Sequence, residues 1–416
     1  MPYSAVIHRS FRPTHRSTDI GWWISASSLP SLIRQLFLAS ILLAPFCPST
    51  MVHAVNNLEP QQPTRQITLM PTTIVKPDGP PDWRDFRTLS ADPTGQILYF
   101  IECYRQPAPD CQVLRFDRAT QQLYTYQLPE GYVYLEAYVS PSGRKLAMVR
   151  IPNGTAFPET LEQRQIAIMN IDGSGFEVLP LAPGPKSRPT FNATDDRLAF
   201  WRAQVRMDRS AKTSASRYDV YEYSFDTRQE AQFAASYQFF QGGCLYYLSD
   251  QRQLLVHGDV PMRDEALFHL STHEYKKRYP NHLFRLNRKQ TTWTHPMYSR
   301  EPFIYMMRVT ANARGDIAFS AEAIQEGGSI FLDKQDGSFF RWSERLWPAF
   351  ETNTLLYAAL LDSELVGIYV KTTAISREHG KTRFLRLDMT SGEWRALPMP
   401  ALSTAQSISV SLKPEQ

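Results

Sequence analysis

A tight polar turn followed by a short apolar strand recurs six times between residues 86 and 399. The clearest copies are ADPTGQILYF at 91–100, SPSGRKLAMV at 140–149 and NATDDRLAFW at 192–201, and weaker copies begin at 249, 312 and 361. The first apolar residues of the six strands are Leu98, Leu146, Leu198, Leu254, Ile317 and Leu365, spaced 48, 52, 56, 63 and 48 residues apart. A repeat of this length predicts units that stack, because one unit alone cannot bury both faces of its sheet.

A second signature follows the first in every unit. It is an alternating apolar strand that closes on an acidic or amide residue: Asp117, Asp172, Asp226, Asn287, Asp333 and Asp388. Such a side chain accepts hydrogen bonds from backbone N–H groups two positions further on and starts a turn. Each unit therefore contains four short strands, joined by two tight turns and one longer connection.

Six units of about 50 residues and four strands predict an all-β chain with WD40-like repeat lengths. The fold expected is a six-bladed β-propeller of four-stranded antiparallel blades over residues 86–399. The composition agrees, since 30 Pro, 20 Tyr and 23 Phe in 416 residues are typical of strands and turns. A β-sandwich with coincidental spacing is the alternative, and two signatures repeated six times in one register argue against it.

Residues 166–200, IAIMNIDGSGFEVLPLAPGPKSRPTFNATDDRLAF, resemble the repeat of the TolB-type six-bladed propellers. That repeat has a strand, an N-x-D-G-S/T turn, an outer strand, an aromatic strand and an S-P-D-G-like turn. Ser140-Pro141-Ser142-Gly143 looks like the second turn, with Ser142 where the family usually has Asp. The resemblance implies a propeller in the cell envelope. It covers the propeller only, because residues 55–85 do not resemble the N-terminal α/β domain of TolB, so the role of TolB itself is not implied.

The N-terminus is typical of an export signal. LFLASILLAPF at 36–46 is an apolar run of 11 residues, preceded by Arg34 and followed by Val52-His53-Ala54. This run is short for a transmembrane helix, which needs about 20 residues. We expect a signal peptide over 1–54 with cleavage after Ala54, a Pro-rich linker over 55–85 and a C-terminal tail over 400–416. The protein is then periplasmic or secreted; alternatively, an uncleaved leader anchors it in the inner membrane, facing the periplasm.

Three cysteines follow the predicted leader. Cys103 and Cys111 flank RQPAPD, which is typical of a loop between two strands, and a hairpin brings such positions close enough for a disulfide. In an oxidising compartment we expect this bridge, with two buried thiols as the alternative. Cys244 lies in the apolar stretch GGCLYYL and is expected to be a core residue rather than a nucleophile.

Charge and motifs exclude several classes of function. The chain has 45 basic and 41 acidic residues, and the leader carries a net +3 of that difference, so the remainder gives no general electrostatic reason to bind nucleic acid. The sequence has no G-x-S-x-G elbow, no Walker A sequence and no dinucleotide fingerprint, so no cofactor is predicted.

The long connections are predicted to share one face of the propeller. In an antiparallel four-stranded meander, the second connection leaves from the opposite end to the first and third. The second connections are the long ones here, at 105–110, 151–164, 202–217, 260–280, 325–328 and 373–382. We call their common side the long-connection face and expect it to carry binding, because loops held by a rigid scaffold commonly do.

The blade-4 connection is the longest. Arg263-Asp264-Glu265 opens it and Lys276-Lys277-Arg278 ends it; acid first and base last suits the helix dipole and predicts a short amphipathic helix over about 263–277. The candidate binding residues on this face are Arg206, Arg209, Lys212, Arg217, Leu267, Phe268, Leu270, Lys276, Lys277, Arg278, Arg377 and Lys381. They predict a non-enzymatic envelope propeller that binds an envelope protein or an anionic polymer. Membrane contact is expected only peripherally or through an uncleaved leader.

An enzyme is the alternative. His269 and His273 lie four residues apart on the predicted helix, a spacing that allows both to bind one metal ion. A propeller enzyme such as a polysaccharide lyase would use this pair. The signal is weak, because no His-Glu-x-x-His is present, and exposed or packed histidines remain the simpler interpretation.

Overall fold

The computed structural model describes residues of the compact unit Gln62–Gln416. The described residues are 66–72, 84–104, 110–154, 159–207, 213–234, 239, 242–248, 251–258, 282–288, 303–312, 314–323, 327–343, 353–371, 382–397 and 409–411. They form six antiparallel sheets and almost no helix. The predicted six-bladed β-propeller is confirmed.

Blades 1 to 3 follow one another along the chain. Blade 1 contains β1 (Leu69–Thr72), β2 (Arg84–Ala91), β3 (Ile97–Tyr104), β4 (Asp110–Asp117) and β5 (Gln122–Tyr126). Blade 2 contains β6 (Tyr132–Val139), β7 (Lys145–Pro152), the one-turn helix α1 (Glu159–Glu162), β8 (Gln165–Asn170) and β9 (Glu177–Val178). Blade 3 contains β10 (Lys186–Phe191), β11 (Arg197–Met207), β12 (Thr213–Ser224) and β13 (Gln229–Gln232).

Blades 4 to 6 repeat this order. Blade 4 contains β14 (Gly242–Tyr247), β15 (Gln253–Gly258) and β16 (His282–Asn287) among the described residues. Blade 5 contains β17 (Phe303–Ala311), β18 (Ile317–Ala323), β19 (Gly327–Asp333) and β20 (Phe339–Ser343). Blade 6 contains β21 (Asn353–Leu360), β22 (Glu364–Lys371), β23 (Thr382–Asp388), β24 (Glu393–Ala396) and β25 (Ser409–Ser411). The predicted blade-4 helix lies outside the described residues.

The first strand of each four-strand repeat is innermost. The strands β2, β6, β10, β14, β17 and β21 each contact the next one round, and β21 contacts β2. We call these six strands the inner ring. The second strand supplies the core: its six anchors, Leu98 to Leu365, are at most 2% exposed. Apolar clusters lie between neighbouring blades, because each sheet has two apolar faces to cover.

The closing residues of the third strands start turns as predicted. Asp117 Oδ1 accepts hydrogen bonds from the backbone N–H groups of Ala119 (2.9 Å) and Thr120 (3.1 Å). Asp388 makes the same two contacts with Thr390 and Ser391, both at 2.9 Å. These backbone hydrogen bonds lower the pKa of the Asp388 carboxyl, because they favour its charged form.

The two end blades have five strands instead of the predicted four. The strand β1 pairs with β5, and β25 pairs with β24, so each adds a strand to the outer edge of its blade. Residues 69–72 thus belong to blade 1, although the sequence placed them in a linker. The extra strands cover edges that would otherwise present unpaired backbone groups. Within the described part of the chain, no helix is long and apolar enough to cross a membrane.

Candidate functional site

The face opposite the long connections is closed by contacts between turns of neighbouring blades. Ser142 of blade 2 donates a hydrogen bond to the Asp195 carboxylate of blade 3 (2.5 Å). The backbone N–H of Ala193 donates to Gln251 of blade 4 (2.9 Å), and Arg118 of blade 1 pairs with Glu364 of blade 6. We call this side the short-turn face. Several of its polar groups join neighbouring blades and others close their own turns, so the long-connection face is the better candidate for binding.

On the long-connection face, blade 3 has a β-hairpin where the sequence predicted a loop. The strands β11 and β12 stay paired as far as Met207 and Thr213, so most of 202–217 is strand. The alternation of apolar and polar residues there is short and interrupted, which hid the hairpin in the sequence. A register shift at residues 202–204 lets the pair continue past the length of the other blades.

The hairpin carries two of the predicted binding residues. Arg206 on β11 and Arg217 on β12 are half-buried and have polar or electrostatic contacts of their own. Met207, which directly follows Arg206 on β11, is 61% exposed. The structure therefore places Arg206, Arg217 and an exposed apolar side chain on one projecting element.

The other predicted binding residues lie outside the described residues. They are Arg209, Lys212, Leu267, Phe268, Leu270, Lys276, Lys277, Arg278, Arg377 and Lys381. The candidate metal ligands His269 and His273 lie outside them as well. Across the described ranges, no group of three or more His, Cys, Asp and Glu side chains is arranged to hold a metal ion.

Cys103 and Cys111 are bonded to each other in the structure. They occupy directly opposed positions of β3 and β4, where the strands leave blade 1 towards the long-connection face. Cys244, in contrast, is buried and unbonded. Burial raises the pKa of the Cys244 thiol to about 12, so it is protonated at neutral pH and unsuited to act as a nucleophile.

The inner ring holds a second group of polar residues, which sequence reasoning missed. In each of the six blades, a register irregularity interrupts the pairing of the inner strand with the second strand. The irregularities lie at about the same distance from the first turn of the blade, and we call this position the bulge level. Such bulges redirect side chains from one face of a sheet to the other. At this level lie Thr88, Glu136, Arg188, Cys244 and Tyr357, each four residues before the first turn residue of its blade.

Arg188 is the centre of this group. Its backbone has φ 53°, a left-handed conformation that is strained for a residue with a side chain. The Glu136 carboxylate accepts a hydrogen bond from the Arg188 backbone N–H at 2.6 Å, which holds that conformation. The Arg188 guanidinium donates from Nη1 to the Tyr138 hydroxyl and lies over the Tyr138 ring.

Two more phenols, from other blades, face the same charge. Tyr246 of blade 4 and Tyr357 of blade 6 both interact electrostatically with Arg188. Burial raises the pKa values of Tyr138 and Tyr246 above the usual range, so both hydroxyls stay protonated at neutral pH. We call Glu136, Tyr138, Arg188, Tyr246 and Tyr357 the inner-ring cluster. Counting four residues back from each turn would have found three of them.

Comparisons with known proteins agree on the architecture. No family model matches the chain, and a search of curated proteins found no relative. Solved structures that match include TolB from Acinetobacter baumannii, with 14% identity, 74% of this chain and 64% of that chain covered, and a TM-score of 0.42. A puromycin-hydrolyzing peptidase of Mycobacterium tuberculosis matches with 12% identity, 82% and 57% coverage, and a TM-score of 0.47.

An oligogalacturonate lyase in complex with manganese matches with 13% identity, covering 80% of this chain and 85% of that chain, with a TM-score of 0.46. The chain thus spans less than two thirds of the TolB and peptidase structures. The six-bladed propeller implied by residues 166–200 is confirmed by the six sheets of the chain, and solved TolB structures are among the matches. At these identities the likeness does not extend from the fold to an activity.

Proposed function

We propose that this chain is an exported, non-enzymatic propeller that binds an envelope protein or an anionic polymer through its long-connection face. The observation that carries the proposal is the difference between the two faces. The short-turn face uses its polar groups to join blades, whereas the β11/β12 hairpin projects from the other face with Met207 exposed. An exposed apolar side chain beside arginines is typical of a protein-binding surface.

Export is supported by the cysteines. The Cys103–Cys111 disulfide joins two strands of blade 1, and disulfides persist in oxidising compartments such as the periplasm. The apolar run at 36–46 supports the same location. N-terminal sequencing of the exported protein should find Val55 first, and an intact Met1 in a soluble cytoplasmic fraction would contradict export.

The binding surface is tested with two matched methionine variants. Met207→Ser removes the exposed side chain of the hairpin, and Met70→Ser removes one of similar exposure (46%) on β1. Immobilised exported protein is incubated with envelope extract, either untreated or digested with protease, and the retained material is quantified. Because the partner would bury the Met207 side chain on binding, its removal in Met207→Ser should lower the affinity for the retained material about 10-fold. Met70→Ser should retain as much material as the wild type.

The protease arm separates the two kinds of partner. Retention that disappears after digestion indicates a protein, and retention that survives indicates a polymer. Equal retention by the wild type, Met207→Ser and Met70→Ser would contradict a role for the hairpin and remove the support for this face.

A further inference from the structure

We propose that the inner-ring cluster is a binding site for a carboxylate, with Arg188 and Tyr138 as the residues that hold it. This site is separate from the long-connection face and does not depend on the proposed function. It rests on three observations: a charge without a carboxylate partner among the described residues, a strained backbone at that residue, and a protonated phenol that already accepts one of its hydrogen bonds.

The first observation is the unpaired charge. Four other arginines of the propeller, Arg118, Arg197, Arg202 and Arg288, each pair with a glutamate. No carboxylate among the described residues lies within 4.0 Å of the Arg188 guanidinium, the limit for a salt bridge. Glu136 is near enough for its charge to act on Arg188, but it accepts its hydrogen bond from the backbone N–H instead.

The second observation is the orientation. A left-handed φ at an arginine costs of order 1 kcal/mol or more, and such strain persists where the surrounding structure imposes it. Here the bulge of β10 contains it, and Glu136 of the neighbouring blade accepts a hydrogen bond from the backbone N–H of the strained residue. As a residue, Arg188 is partly exposed. A pre-oriented guanidinium has donors to offer at little further entropic cost.

The third observation concerns the hydrogen bonds that remain. Among the described residues, the Arg188 guanidinium donates only from Nη1, to the Tyr138 oxygen, so its other N–H groups can serve a ligand. Tyr138 accepts that bond and stays protonated, so its own proton is available to a second oxygen. Two oxygens of one planar group could thus bind Arg188 and Tyr138 together, as a carboxylate does.

The charges select a monoanion. The cluster contains one guanidinium, of Arg188, and one carboxylate, of Glu136, and the protonated phenol of Tyr246 adds no charge. A doubly charged phosphate would gain twice the attraction to Arg188 and twice the repulsion from Glu136, but taking it out of water costs more than twice what a carboxylate costs, because the Born energy scales with the square of the charge. The ligand group is therefore a carboxylate, carried either by a small organic acid or by the C-terminus of a peptide.

The test measures binding of butyrate, a singly charged carboxylate, and of tri-alanine by isothermal titration calorimetry, with C-terminally amidated tri-alanine as the control ligand. Arg188→Gln removes the charge, and Arg285→Gln makes the same change at an exposed arginine of β16. The loss of charge-assisted hydrogen bonds should weaken binding roughly 10-fold to 100-fold in Arg188→Gln. Arg285→Gln should bind like the wild type, and the amidated peptide should not bind.

A preference between the two ligands identifies the source of the carboxylate. Binding of butyrate alone indicates a small acid, and binding of tri-alanine alone indicates a peptide terminus; either result supports the site. The proposal is overturned if the wild type binds neither ligand, or if Arg188→Gln binds as tightly as the wild type.

Tyr138→Phe keeps the site testable if Arg188→Gln does not fold, as judged by circular dichroism. This variant retains the ring under Arg188 and removes only the hydroxyl. Loss of one hydrogen bond should weaken binding roughly 2-fold to 10-fold. Unchanged affinity in a folded Tyr138→Phe would also overturn the proposal.

Discussion

Single buried carboxylates join neighbouring blades of this propeller. Glu222 on β12 is 6% exposed and accepts hydrogen bonds from Arg197 (3.0 Å), from Arg288 (2.7 Å) and from the Tyr247 hydroxyl (2.6 Å). Arg197 belongs to its own blade, whereas Tyr247 and Arg288 belong to blade 4. One side chain therefore satisfies three donors across the joint between blades 3 and 4, and removing it would leave them without a shared acceptor.

Replacing Glu222 with Ala should lower the free energy of unfolding by roughly 2–3 kcal/mol, because two guanidinium groups and a phenol lose their acceptor in a largely buried site. Glu177→Ala is the matched control: Glu177 pairs with Arg228, but both side chains are considerably exposed, so its loss should cost about 1 kcal/mol or less. Chemical denaturation of both variants measures the difference. Equal costs would show that the joint does not depend on Glu222.

The residues that could be predicted from the sequence are those whose position follows the repeat. The strand anchors and the turn-starting Asp residues recur at fixed places, and the structure buries the former and hydrogen-bonds the latter. Glu136 and Arg188 were missed for a physical reason. A bulge shifts the register by one residue and moves side chains to the other face, so simple alternation gives no signal for them.

At the scale of elements, the segment 66–72 ties two blades together. Residues 69–72 pair with β5 of blade 1, while Ile67, 1% exposed, donates its backbone N–H to the Gly173 carbonyl of blade 2 (2.7 Å). The sequence showed a strand-like stretch here but could not show its partner. Strand pairing is non-local, and prolines on either side of the stretch are typical of a linker.

Gly173→Ala should detach this segment. Gly173 has φ +87°, and a Cβ there would overlap the Ile67 carbonyl oxygen. The control is Gly131→Ala, at φ +83° with no atom within 4 Å of the added Cβ, which carries the backbone strain alone. The backbone strain should lower the free energy of unfolding by about 1 kcal/mol in both variants. The overlap with Ile67 should lower it by roughly 1–2 kcal/mol more in Gly173→Ala. Limited proteolysis should cut near residue 66 in Gly173→Ala first, whereas equal cutting of both variants would contradict the tie.

At the scale of the whole molecule, the ring closes without a strand shared between the two ends of the chain. In the described residues, every blade is built from consecutive segments, and β1 and β25 lie on the outer edges of blades 1 and 6. The joint between these blades is held by side chains instead. Arg118 pairs with Glu364, and one apolar cluster contains Phe86 and Phe100 of blade 1 together with Phe384 of blade 6. Closure therefore depends on packing rather than on backbone pairing.

Phe384→Ala should loosen blades 1 and 6 together. The centroid of the Phe384 ring lies 5.4 Å from that of Phe86 and 5.1 Å from that of Phe100. Removing this buried ring leaves a cavity, which should lower the free energy of unfolding by roughly 3–5 kcal/mol. Phe284→Ala removes an equally buried ring, 5.5 Å from Phe239, at the joint of blades 3 and 4. Because the described contacts at the closing joint are made by side chains, hydrogen exchange in Phe384→Ala should rise in β2, β3, β22 and β23. In Phe284→Ala it should rise in β12, β15 and β16 and stay at the wild-type level in β2 and β3. If exchange in Phe384→Ala rose only in blade 6, blade 1 would not depend on the joint, and closure would have to be assigned to contacts other than this aromatic cluster.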